Sequence, residues 1–79
     1  MADTMPFDVA IDACGLKCPL PILRTKKALA AMESGQVLKV LATDADAVND
    51  FAAFARQTGN ALLASETADS VLVFYFRRR

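Results

Sequence analysis

Cys14 and Cys18 are the two cysteines of a chain of 79 residues that contains no histidine. Two thiols are too few for a disulfide scaffold, and the absence of imidazole removes both a histidine-paired nucleophile and a histidine-ligated metal. Chemistry in this chain is therefore thiol chemistry, and the residues call for no metal and no cofactor.

Cys18 opens the run Cys18-Pro19-Leu20-Pro21. Proline is favoured at the first helical position, where its missing N–H has no partner to lose, and it drives the preceding residue toward extended geometry. This predicts Cys18 at the N-cap of a helix, Pro19 at its first position and Pro21 at its third. Pro21 has no N–H, so the amide of Leu20 is the backbone donor expected to reach the sulfur. The positive end of the helix and the neighbouring Lys17 push the same way, toward thiolate. Pro19, Leu20, Pro21 and Lys17 are thus the residues expected to support a reactive sulfur on Cys18.

An activated thiol without a general base cannot deprotonate a water or a substrate, but it can exchange sulfur. Its thiolate attacks an electrophilic sulfur on a donor, keeps the outer atom as a persulfide, and yields it to the thiolate of the next protein. The plainer reading is that Cys18 is an inert, buried cysteine and that the prolines only mark a helix start.

Beyond the motif, Pro21, Ile22, Thr25, Ala28, Leu29 and Met32 recur at helical spacing and predict a helix from Pro19 to about Met32, ended by Gly35. Leu20, Leu23, Arg24, Lys27 and Ala31 fall off that apolar stripe. Two exposed leucines among basic residues beside Cys18 are expected to dock an acidic protein partner; an ordinary solvated helix face is the alternative. Cys14 stands before Gly15 and reads as a loop residue, with a resolving thiol in a Cys14/Cys18 redox pair as the competing reading.

The remaining elements follow from alternation and turn signals. Phe7 to Asp12 predicts a strand with Phe7, Val9 and Ile11 on one side, and Val37 to Ala42 another with Leu38, Val40 and Ala42 together. Thr43 and Asp44 read as caps for a second helix that runs to about Thr58, buries Val48, Phe51, Phe54 and Ala55, and stops at Gly59 and Asn60. Ala61 to Glu66 and Val71 to Phe76 predict a hairpin joined through Thr67 to Ser70. The order is βαβαββ. Two helices cannot cover both faces of four strands, so the expectation is an α/β two-layer sandwich with both helices on one face and Val37, Leu41, Val73 and Tyr75 on the more open one.

The length allows one domain, with its core at about residues 7–76. Hydrophobic residues make up 54% against 23% charged, a balance that excludes a disordered chain. Formal net charge is zero, so the whole chain carries no electrostatic argument for a nucleic acid or a membrane. Seven of the nine basic residues nevertheless gather as Lys17, Arg24, Lys26, Lys27 and Arg77 to Arg79, which keeps an RNA-binding or regulatory module in view. The terminal arginines read as a solubilising end, expected to fray together with Met1 to Pro6. No apolar run approaches the ~20 residues of a membrane span, and Met1 to Phe7 lacks a secretory pattern, so a cytoplasmic protein is expected.

Asp12, Gly15, Leu16, Cys18, Pro19 and Pro21, followed by the helix from Ile22 to Met32, resemble the TusA (SirA-like) family over nearly the whole chain. The resemblance implies a two-layer sandwich with a mixed four-stranded sheet, like the C-terminal domain of the third bacterial initiation factor. It further implies persulfide transfer by the cysteine that matches Cys18, and a carrier rather than a turnover enzyme. A cysteine desulfurase or rhodanese would be the donor. The acceptor would be a protein of tRNA thiolation, molybdenum-cofactor assembly or sulfur oxidation. Cys14 occupies a position that the motif leaves variable.

Overall fold

The computed structural model describes residues 6–79, so the expected fraying of Met1 to Met5 lies outside the described residues. The elements are β1 (Val9–Ala13), α1 (Leu20–Ala30), β2 (Val37–Ala42), α2 (Ala47–Thr58), β3 (Ala61–Ala68) and β4 (Val71–Arg77). β1 runs parallel to β2, while β4 is antiparallel to both β2 and β3, giving a mixed sheet in the order β1-β2-β4-β3.

Alternation in β2 places the core. Leu38, Val40 and Ala42 are fully buried and pair across the sheet with Phe76, Phe74 and Leu72. α2 lays Phe51 on this surface, its ring centroid 4.6 Å from Phe74 and 5.5 Å from Phe76, and Phe54 meets Phe76 edge-on at 5.7 Å. Such tilted contacts are the favoured aromatic geometry. α1 contributes Leu29 and, just past its end, Met32 to the same core. Both helices therefore cover one face of the sheet, the expected α+β two-layer arrangement.

Local chemistry sets the ends of the elements. Asp69 and Ser70 both take positive φ (49° and 70°) between the paired Ala68 and Val71, the pattern of a two-residue hairpin whose turn matches strand twist. Gly59 ends α2 in the left-handed conformation, its N–H donating to the carbonyl of Ala55. α1 stops at Ala30, well before Gly35, because the amides of Ala31 and Met32 donate to the carbonyls of Ala28 and Leu29 and tighten the last turn.

Four expectations are corrected. β1 starts at Val9, so Phe7 precedes the strand it was expected to open; it is exposed, with the Lys39 ammonium 5.2 Å from its ring centroid. Tyr75 faces away from the helices as expected but is only 2% exposed, with the same ammonium 6.0 Å from its ring, whereas Val37, Leu41 and Val73 are half-buried. Val48 points outward, because α2 starts later than expected and buries Ala47 in its place. The terminal arginines are tied down: Arg77 pairs with Val37, Arg78 Nε donates to the Leu29 carbonyl at 2.7 Å, and the Arg79 amide donates to Asn60 Oδ1 at 3.0 Å.

Candidate functional site: the Cys18 loop

In a parallel β-α-β unit the carboxyl ends of the two strands lie side by side, and Ala13 pairs with Ala42 at the ends of β1 and β2. The residues after each strand therefore meet. Thr43 Oγ1 accepts the Gly15 N–H at 2.8 Å, and Asp44 Oδ2 accepts the Cys18 N–H at 2.8 Å. Both ends of the loop from Gly15 to Cys18 are thus held by two consecutive side chains. Gly15 has φ +81°, a conformation that disfavours any side chain, and this turns the chain out of β1.

Helix α1 begins one residue later than its prolines suggest. Its first turn is closed by the Leu23 N–H on the Pro19 carbonyl at 3.1 Å, so Pro19 is the N-cap and Pro21, buried, is the second helical residue. The Leu20 amide donates to the Lys17 carbonyl at 2.8 Å and is not free for the sulfur. Cys18 stands just outside the helix, exposed, with its peptide bond to Pro19 in the cis form.

The charge around the sulfur also differs from expectation. The Asp50 carboxylate, from the first turn of α2, is the largest cause that pushes the Cys18 thiol pKa above the ordinary range. Partial desolvation and the charges of Asp50, Asp44 and Asp46 add to the rise. Lys17 faces Asp44, whose pKa is held low chiefly by the amides of Cys18 and Asp46. These carboxylates therefore disfavour the thiolate, where helix end and lysine alone favour it. Asp50 and Asp44 were not legible as site residues in the linear pattern; the only signal for them was the parallel pairing that brings the two loops together.

Cys14 is half-buried, its N–H donating to Asp12 Oδ1 at 2.9 Å, and Asp12 raises its thiol pKa through the side-chain hydrogen bond. Both cysteines are free.

Leu20 and Leu23 are 48% and 53% exposed, and with Arg24 and Lys27 they line an open, mainly apolar groove between α1 and Ile11 of β1. Leu20, which lines the groove, is two residues from the exposed Cys18 in the chain. Among the described residues no cluster of Cys, Asp or Glu could hold a metal ion, and no helix is long and apolar enough to cross a membrane.

The likenesses to known proteins agree with this arrangement. The family described as Sulfurtransferase TusA matches residues 9–78. A sulfur carrier protein TusA of Allochromatium vinosum is 55% identical over 78 residues, 99% of each chain. The crystal structure of a SirA-like protein from Desulfitobacterium hafniense superposes with a TM-score of 0.77 at 31% identity, covering 89% of this chain and 96% of that one. These likenesses support the carrier reading and neither the RNA-binding nor the dithiol alternative. With its family match, its close relative and its fold in accord, the chain belongs to the TusA family of sulfur carrier proteins.

Proposed function

We propose that the chain carries sulfur as a persulfide on Cys18 between a protein donor and a protein acceptor in the cytoplasm, without turning over a substrate of its own. The observation that carries this reading is the exposed Cys18, two residues before Leu20, which with Leu23, Arg24 and Lys27 lines an open apolar groove.

In the accepting step the Cys18 thiolate attacks the outer sulfur of a donor persulfide, of the kind a cysteine desulfurase or rhodanese bears. The new S–S bond forms as the donor's S–S bond breaks, and the donor leaves as thiolate. In the giving step an acceptor thiolate attacks the outer sulfur on Cys18 and expels the Cys18 thiolate. One sulfane sulfur moves, with no net oxidation.

A thiol with a raised pKa is both a scarce nucleophile and a slow leaving group, so the undocked carrier is quiet. A docked partner that sets a cation against Asp50 and Asp44 reverses this. Leu20, Leu23, Arg24 and Lys27 provide the docking surface for an acidic face of that partner, and Pro19, Pro21 and Lys17 shape the turn that presents the sulfur.

The test is sulfur loading. Reduced wild type, Cys14→Ser and Cys18→Ser are incubated with a cysteine desulfurase and cysteine, or with a rhodanese and thiosulfate, and weighed intact. Gain of one sulfur, reversed by reductant, is expected in wild type and Cys14→Ser and not in Cys18→Ser. Equal loading of Cys18→Ser would overturn the proposal.

A further inference from the structure

Thr43 and Asp44 have the side chains of helix caps, yet α2 begins later, at Ala47, and its N-cap Asp46 makes no side-chain cap hydrogen bond. Their acceptors are used elsewhere. Thr43 Oγ1 takes the Gly15 amide and Asp44 Oδ2 the Cys18 amide, each at 2.8 Å, across 28 and 26 residues of sequence. The second oxygen of Asp44 accepts the Asp46 N–H at 3.1 Å, and its carbonyl accepts the Ala47 N–H at 3.0 Å. Asp44 thus joins the start of α2, which carries Asp50, to the residue that carries the sulfur.

We propose that Thr43 and Asp44 are positioning residues for sulfur transfer: they clamp the Gly15 to Cys18 loop at both ends and fix Cys18 against the start of α2. The proposal rests on Cys18 being the sulfur-bearing residue. The physical reason is that the loop has no regular structure of its own and lies at the surface, where both clamped amides would otherwise turn to water. In-line exchange between three sulfurs tolerates little misalignment, and displacement of a reacting atom by about 1 Å can slow a reaction on the order of a hundredfold.

Asp44 does two separable things. Its oxygen holds an amide, and its charge joins those of Asp50 and Asp46 near the thiol, with Lys17 facing it from the loop. Asp44→Asn keeps an acceptor and removes the charge; Asp44→Ala removes both. Thr43→Ser keeps the hydroxyl and Thr43→Val deletes it.

The experiment compares two rates for each variant: alkylation of Cys18 by iodoacetamide across pH in a Cys14→Ser background, and persulfide loading from a desulfurase. Thermal melting selects temperatures at which every variant is folded. Both Asp44 variants should move the alkylation midpoint to lower pH, because both lose the charge. Loading should persist in Asp44→Asn and Thr43→Ser but fall about tenfold to a hundredfold in Asp44→Ala and Thr43→Val. Wild-type loading rates in folded Asp44→Ala and Thr43→Val would overturn the clamp while leaving the carrier intact. Failure of wild type itself to load would instead overturn the carrier reading beneath it.

Discussion

Asp44 Oδ2 lies 2.8 Å from the amide nitrogen of Cys18, so the residue that bears the thiol is held by a carboxylate from the next strand-to-helix connection. The same connection leads into α2 and Asp50, the largest cause of the raised Cys18 pKa. Position and reactivity of the sulfur are therefore governed from one place, and each can be perturbed separately.

Asp50→Asn removes the largest cause of the raised Cys18 pKa. Thiolate is the form that reacts with iodoacetamide, so the midpoint of the alkylation profile should fall toward the ordinary thiol range and the rate at neutral pH should rise several-fold. Stopped-flow or mass-resolved alkylation across pH checks this; an unmoved midpoint would show that Asp50 does not control the thiol.

Asp44 and Asp12 have pKa values below the ordinary 3.8, each because backbone amides bind the ionised carboxylate. A carboxyl whose folded pKa is depressed contributes stability that is present above its unfolded value and lost as pH falls through the folded one. Melting temperature should therefore drop on acidification below about pH 4, and Asp44→Asn should make that part of the curve shallower. An identical acid limb in the variant would contradict the assignment.

Leu23→Asp and Lys27→Glu test the docking groove. Both residues are exposed, so stability should change by no more than about 0.5 kcal/mol. Leu23→Asp should cost more than about 1 kcal/mol of affinity for the sulfur donor. Lys27→Glu should slow association about tenfold at low salt, the difference shrinking as salt rises. Wild-type affinity in both variants would remove the groove as a docking surface.

Phe51→Ala deletes the side chain that touches both Phe74 and Phe76. Truncating a buried phenylalanine costs about 3–5 kcal/mol, against a total of about 5–15 for a domain. Denaturant titration should show a largely unfolded or severely weakened protein. A loss under about 1 kcal/mol would mean that the helix-to-sheet contact is not central to the core.

Much of this was readable in advance. Alternation of Leu38, Val40 and Ala42 and the stripe from Pro21 to Leu29 report burial directly, since strands and helices turn their side chains at fixed periods. The exposure of Leu20 and Leu23 followed from the same geometry. What the linear pattern could not report was the destination of side-chain acceptors. Thr43 and Asp44 were rightly seen as residues seeking amides, but which amides depends on β1 lying beside β2, a contact between distant segments. Asp50 reads as an ordinary residue of a helical first turn until α2 is packed against the loop. The helix start was misplaced by one residue because Pro19 is compatible with both the N-cap and the first helical position, and the hydrogen bond from the Leu23 N–H to the Pro19 carbonyl decides between them. Tyr75 was assigned to the correct face, but its burial depends on neighbours that its own strand does not name.

The most direct test of the account follows the sulfur itself. Protein loaded by a desulfurase is alkylated to trap its persulfides, digested, and the peptides bearing Cys14 and Cys18 are weighed before and after an acceptor thiol protein is added. The extra sulfur is expected on the Cys18 peptide alone, and it should leave that peptide when the acceptor arrives. Sulfur found on the Cys14 peptide, or retained on Cys18 in the presence of every acceptor that takes sulfur directly from the donor, would contradict a relay through Cys18.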